Sequence, residues 1–271
     1  MADLAERIFA AAARVRGTAP GCFTNFFAGR DELLSWIERG GVSYEESTGA
    51  LLVLRRDRDF QHLYHIAGSS GELSTALSAL LEKRTDQRIV ADLVGPPADL
   101  EVVTRVYGDN GFREHTSLIR MMRMGEGPPL NGGNPALFAE ESDVPAVQAF
   151  VDRMLDRFRD QIPDALELKA AAARRNLLIE RSSDRLVGFL LFANTGITSV
   201  LRYWYVDPKY VGQGIGGRLM HTYLRNSATT RRFILWVVSD NGDSIAKYEH
   251  YGYRREKLMD RIMIYEGDYL T

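Results

Sequence analysis

Residues 204–219 read Trp-Tyr-Val-Asp-Pro-Lys-Tyr-Val-Gly-Gln-Gly-Ile-Gly-Gly-Arg-Leu, and no other stretch restricts the fold as much. An apolar strand runs into Pro208, a glycine-dense turn follows, and Leu219, Met220, Tyr223 and Leu224 continue at helical spacing. Strand, glycine turn and helix together present first-turn backbone N–H groups that have no acceptor within the helix, and these groups suit a phosphate. The helix dipole adds partial positive charge at the same end. Gly212, Gly214, Gly216 and Gly217 have no Cβ to hold a ligand's oxygens away. A diphosphate-binding turn is one reading; a tight glycine-rich connection between strand and helix also fits the turn taken alone.

Two nucleotide motifs do not fit. A P-loop needs Lys and then Ser or Thr after its last glycine, and Gly217-Arg218 supplies neither. A dinucleotide turn needs G-x-G-x-x-G and an acidic residue about 20 positions on at the end of the next strand. The glycine spacing here differs, and the next strand ends at Val238-Ser239-Asp240. Coenzyme A, whose diphosphate needs the same cradle of N–H groups, is the third option.

A second block follows in order, with a strand between the two: Asn241, then Ala246-Lys-Tyr-Glu-His-Tyr-Gly-Tyr253. With Val206-Asp-Pro-Lys-Tyr-Val-Gly-Gln-Gly-Ile-Gly216 it resembles the GNAT superfamily of N-acetyltransferases over residues 136–267. One position departs from that pattern: Val211 stands where Gln or Arg is usual. The resemblance implies that acetyl-CoA is a co-substrate, held by the backbone of Val211, Gly212, Gln213, Gly214, Ile215, Gly216 and Gly217. It implies that the central strand bulges and parts from its neighbour, so that Trp204, Tyr205 and Val206 line the pantetheine track. It also implies Tyr248 as general acid, protonated at neutral pH with an ordinary phenol pKa of about 10, and a cofactor contact from the Asn241 amide. From the pattern alone, Tyr248 also fits a core position on an amphipathic helix, and Asn241 a helix start.

The expected fold is α/β: tandem GNAT-like domains, each a mixed, mostly antiparallel central sheet flanked by helices. Tyr107-Gly-Asp-Asn-Gly-Phe112 repeats the spacing of Tyr248-Glu-His-Tyr-Gly-Tyr253, and the order of strands and helices repeats with it. Residues 1–125 therefore read as a degenerate copy. Its turn Gly68-Ser-Ser-Gly71 is too short for the cradle, so it is not expected to bind the cofactor, and Tyr107 is expected to be structural. Residues 126–135 read as a Gly/Pro/Asn linker and 136–271 as the cofactor-binding domain. Within it a helix is expected over 144–161 with Asp143 as N-cap, a second helix over 164–175, and closing strands at 253–259 and 261–266.

At 271 residues the chain can hold two ordinary domains, and a formal net charge of -2 argues against a nucleic-acid partner bound by bulk charge. Cys22 is the single cysteine, so no intrachain disulfide forms, and a reducing, cytoplasmic location is expected. No run approaches the ~20 apolar residues of a membrane span. No metal site is expected: His62 and His65 fall on opposite faces of a strand, and His221 and His250 lack ligand partners at useful spacing. The general base is open, with Glu180 and Asp240 as candidates beside a water relay or an amine that arrives neutral. Tyr203, Trp204, Tyr205 and Trp236 suggest an aromatic acceptor wall, and core positions fit them as well. Three functions follow: an N-acetyltransferase acting on a small primary amine, a protein or peptide N-acyltransferase, or a non-catalytic acyl-CoA-binding module. A homodimer is an open outcome.

Overall fold

The computed structural model describes residues 2–18, 23–84, 87–125, 134–227 and 230–267. By contacts it divides into two units, Met1–Leu118 with Lys257–Thr271, and Ile119–Glu256.

The first unit begins with α1 (Ala2–Thr18), β1 (Phe23–Thr24), α2 (Arg30–Glu38), β2 (Val42–Ser47), β3 (Ala50–Asp57) and β4 (Phe60–Ala67). It continues with α3 (Ser70–Glu82), β5 (Ile89–Gly95), α4 (Pro97–Asp109) and the start of β6 (Arg113–Met124). Strands β2, β3 and β4 form an antiparallel meander, and β5 returns parallel to β4 through the α3 crossover. The period of two sorts the side chains onto two faces. Leu52, Leu54, Ala91 and Leu93 pack with Leu77 and Leu80 of α3, while Leu51, Val53 and Ile66 pack with Ile8 of α1 and Leu33 of α2. Strand β2 was not expected. Its sequence Val-Ser-Tyr-Glu-Glu-Ser carries no apolar run, because it is half exposed along its length.

The second unit repeats the order with β7 (Leu137–Phe138), α5 (Val144–Met154), α6 (Ala165–Ala173), β8 (Leu177–Ser182), β9 (Arg185–Thr195) and β10 (Thr198–Val206). Then come α7 (Ile215–Asn226), β11 (Arg232–Val238), α8 (Gly242–His250) and the start of β12 (Arg254–Tyr265). Strands β7 to β10 are antiparallel neighbours, and β11 joins β10 in parallel. Leu219, Met220 and Tyr223 of α7 pack with Ile245 and Tyr248 of α8 on one face; Val147, Phe150 and Leu168 of α5 and α6 pack on the other.

One local expectation is corrected and a second is refined. The helix expected over 144–161 ends at Met154. Asp156 takes over there: its Oδ1 accepts from the N–H groups of Phe158 (2.9 Å) and Arg159 (3.2 Å), a local turn that competes with the helical ladder. Asp143 is the N-cap residue of α5, as expected, but its side chain makes no cap bond to the helix; the carboxylate accepts from the Glu140 N–H at 2.7 Å and pairs with Arg181.

The closing strands differ from the sequence reading most. β5 is paired from Ile89↔Tyr265 to Gly95↔Met259 by β12, so chain from the far end of the sequence closes the first unit. Residues of β6 from Ile119 onward belong to the second unit and lie beside β11, where Gly125 N donates to Arg231 O at 3.1 Å. β12 is one unbroken strand, not the pair expected at 253–259 and 261–266. The units therefore divide within β6 and β12 and not at residues 126–135, of which 126–133 lie outside the described residues. Apolar alternation specifies the face a strand buries but not the neighbour it pairs with, so the exchange leaves no mark in the sequence.

Candidate active site

The glycine turn grows out of the end of β10. Asp207, buried, fixes the exit: its N–H donates to Val187 O at 2.8 Å, and its Oδ1 accepts from Lys209 N at 3.0 Å. A single 3₁₀ turn over Pro208–Tyr210 and an extended Val211 then lead to Gly212 at φ 89° and Gly214 at φ 74°. Any other residue type at either position would pay ~1–2 kcal/mol for the left-handed conformation. Gly214 is the N-cap of α7 and has no side chain to close off the first turn. None of the N–H groups of residues 212–217 donates to another group among the described residues. Tyr223 anchors the helix behind them, its hydroxyl donating to Ser199 Oγ on β10 at 2.9 Å.

The four glycines differ in what they allow. A Cβ at Gly212 would meet nothing within 4 Å, but one at Gly216 would lie 3.2 Å from Cζ2 of Trp204. The missing side chain at 216 therefore admits the Trp204 indole. Val211 is 63% exposed, and its side chain extends into solvent where the family pattern has Gln or Arg.

Beside the turn the sheet opens. β10 and β11 pair in parallel only from Thr198↔Arg232 to Leu201↔Leu235, and a register shift between Leu201 and Tyr203 marks a bulge against β9. Trp204, Tyr205 and Val206 continue past that point with no partner on the β11 side among the described residues, so their backbone groups face the gap. Such bulges re-aim a strand where a site is built.

The aromatic residues around the gap divide between its two faces. Trp204 and Val206 pack with the α7–α8 core, and Tyr203 and Tyr205 with the α5–α6 core. Trp236 alternates with Leu235 and Val237, which are buried under α7 and α8, so it lies on the same side as Tyr203 and Tyr205. Trp204 thus leaves the expected acceptor wall. Its ring lies 5.5 Å from Tyr248 and 5.8 Å from Tyr251 between centroids. On the acceptor side, Tyr203 Oη and Arg202 Nη2 both donate to Gln161 O, at 2.6 and 3.1 Å, tying the α5–α6 connection down over β10. Burial pushes the Tyr203 phenol up to about 12.

Tyr248 is 9% exposed on α8, and burial pushes its phenol well above the ordinary range. It is therefore protonated throughout the working pH range. Asn241 caps α8, its Oδ1 accepting from Ser244 N at 3.0 Å, and its Nδ2 donates to no group among the described residues. Glu180 is held by Arg218 through two bonds, Nε to Oε1 at 2.9 Å and Nη2 to Oε2 at 2.8 Å, while Arg218 Nη1 also donates to Gln213 O at 3.2 Å. Glu180 is thus a brace for the turn and not a free base. Asp240 is exposed at the end of β11. Arg218 stands directly after the glycines, and that place is the signal in the sequence for its bracing role. Arg159 pairs with Asp160, and Arg175 stacks on Phe138 at 3.9 Å.

Comparison with known proteins agrees with this geometry. Residues 139–253 match the profile described as the acetyltransferase (GNAT) family. The second unit is a GNAT acyltransferase domain. No curated protein matches the chain. Among solved structures, a GCN5-related N-acetyltransferase from Kribbella flavida is 14% identical with a TM-score of 0.60, over 88% of this chain and 94% of that one. A tandem GNAT protein from the clavulanic acid biosynthesis pathway is 12% identical with a TM-score of 0.59, over 97% and 94%. A GCN5-related N-acetyltransferase from Sphaerobacter thermophilus is 16% identical with a TM-score of 0.57, over 95% and 90%. At these identities the likeness is one of fold; it spans both units, so the first half is GNAT-like in structure as well.

Proposed function

We propose that the second unit transfers an acetyl group from acetyl-CoA to the primary amine of a small molecule, with Tyr248 as general acid. One observation carries the reading: the open first turn of α7 and the gap between β10 and β11 adjoin each other. A diphosphate fits the N–H groups of residues 212–217, and an extended pantetheine arm fits beside Trp204, Tyr205 and Val206. Bound there, the thioester supplies an activated acyl carbon.

The amine nitrogen attacks that carbon while a backbone N–H of the bulged strand stabilises the oxyanion. The carbon–sulfur bond breaks, and the thiolate takes the proton of Tyr248 Oη. The phenolate regains a proton through water from the newly acylated nitrogen. With Glu180 engaged by Arg218, the acceptor enters as the neutral amine.

A small acceptor is favoured over a peptide because the Gln161 anchor narrows the acceptor side of β10, where an extended chain needs an open groove. The test is a panel of amines with acetyl-CoA and thiol release as readout. Amine-dependent release supports the reading; uptake of acetyl-CoA without release for any amine supports a binding module instead.

A further inference from the structure

The first unit contains the same opening in its sheet, and its own chain fills it. β4 and β5 pair in parallel only at Gln61↔Ile89 and His62↔Val90, after which residues 63–67 and 91–95 part, as β10 and β11 do. β1 lies in that opening, antiparallel to β4, with Phe23 opposite Ala67 and Thr24 opposite Ile66. The residue after it, Asn25, joins both lips. Its Nδ2 donates to Leu63 O on β4 at 3.1 Å and to Asp92 O on β5 at 3.0 Å. Its Oδ1 accepts from His65 N at 2.6 Å, and its own N–H donates to His65 O at 3.2 Å. Thr24 Oγ1 donates to His65 O at 2.9 Å. An extended segment with a branched amide thus meets the strand groups that pantetheine would meet in the second unit.

The helix beside this opening is closed as well. Ser69 caps α3, its Oγ accepting from Glu72 N at 3.2 Å and donating to Glu72 Oε2 at 2.9 Å. Glu72 is the third residue of α3, and the third residue of α7 is Gly217. Where the second unit leaves its first turn bare, the first unit places a carboxylate and a hydroxyl on it.

We propose that the first unit is a self-liganded copy of the site: Phe23–Asn25 occupy the acyl-pantetheine slot, Glu72 occupies the diphosphate end, and the chain takes up a single acetyl-CoA. This rests on the cofactor track proposed for the second unit.

Calorimetric titration of the full chain with acetyl-CoA tests it, alongside Gly217→Glu, which gives α7 the acid that α3 carries. One equivalent for the native chain and at least 100-fold weaker uptake by Gly217→Glu, with its unfolding transition retained, are expected. Two equivalents overturn the inference and leave the reading of the second unit standing; one equivalent retained at native affinity by folded Gly217→Glu places the uptake away from the α7 turn and overturns the inference and that reading together. No uptake by the native chain removes that reading and this inference together. Should Gly217→Glu fail to fold, the native stoichiometry decides alone.

Discussion

The rings of Trp204 and Tyr248 lie 5.5 Å apart between centroids, and in the first unit His65 and Tyr107 lie 5.6 Å apart on the corresponding strand and helix. The two pairs differ in what the phenol does. Tyr107 Oη is 2.9 Å from His65 Nδ1 and fully buried, whereas Tyr248 makes no hydrogen bond through Oη among the described residues. The first pair is a satisfied core contact; in the second the proton is free to be given.

Tyr248→Phe removes only that hydroxyl. Thiol release should fall by roughly 10²–10⁴-fold while the acetyl-CoA dissociation constant changes by no more than a few-fold. Burial raises the native phenol above its ordinary value, so the native rate should rise with pH as the acceptor amine loses its proton and show no decline from phenol ionisation below about pH 10. Steady-state rates across pH, with binding measured separately, check both.

Gly216→Ala places a methyl 3.2 Å from Cζ2 of Trp204. The indole must give by a few tenths of an ångström, a cost of about 1–3 kcal/mol offset by about 1 kcal/mol of gained helix propensity, so a small net loss in unfolding free energy is expected. Adding Trp204→Leu should recover part of that loss, because it empties the space the methyl needs. A double-mutant cycle of unfolding midpoints reads the coupling; additive losses would mean the two sites do not touch.

Glu180→Gln keeps the shape of the Arg218 brace and removes its charge. The pair is partly exposed, so a loss of only about 1 kcal/mol in stability is expected. Acetyl-CoA binding should weaken a few-fold, because Arg218 also holds Gln213 O. The pH–rate profile should keep its shape. A lost ionisation in that profile would make Glu180 the base after all.

Asp260 on β12 offers a test in pH. Burial, with Asp92 nearby, holds its carboxyl well above the usual carboxylate range. The folded state then binds a proton that the unfolded state has released. The stability this group contributes is whole below an unfolded pKa of about 4 and is lost as pH climbs through the folded value. Asp260→Asn should therefore raise the unfolding midpoint at pH 7 and leave it unchanged near pH 3. The gain is about 1.4 kcal/mol for each unit of the native shift, or roughly 2–4 °C per kcal/mol. A midpoint unaffected at pH 7 would show that the carboxyl ionises normally.

What the sequence revealed and what it hid follow one physical line. The glycine turn and the Asn241–Tyr253 block were legible because backbone conformation demands particular residues there: Gly214 stands at φ 74°, and Asn241 caps a helix. The end of β10 was legible from the apolar run into Pro208. Strand β2 was not, since an edge strand with polar outer residues has no apolar run to find. Nor were the exchanged partners of β6 and β12, the Asn25 bridge or the Arg218–Glu180 brace. Each joins residues far apart in the chain, and neither spacing nor period encodes such a pairing.

The central claim is that the N–H groups of residues 212–217 hold a coenzyme A diphosphate. A crystal structure of the chain grown with acetyl-CoA tests it most directly. The account predicts diphosphate oxygens about 2.7–3.2 Å from those nitrogens, with the acyl end in the gap between β10 and β11. Acetyl-CoA bound elsewhere, with the same nitrogens facing solvent or protein, would contradict it.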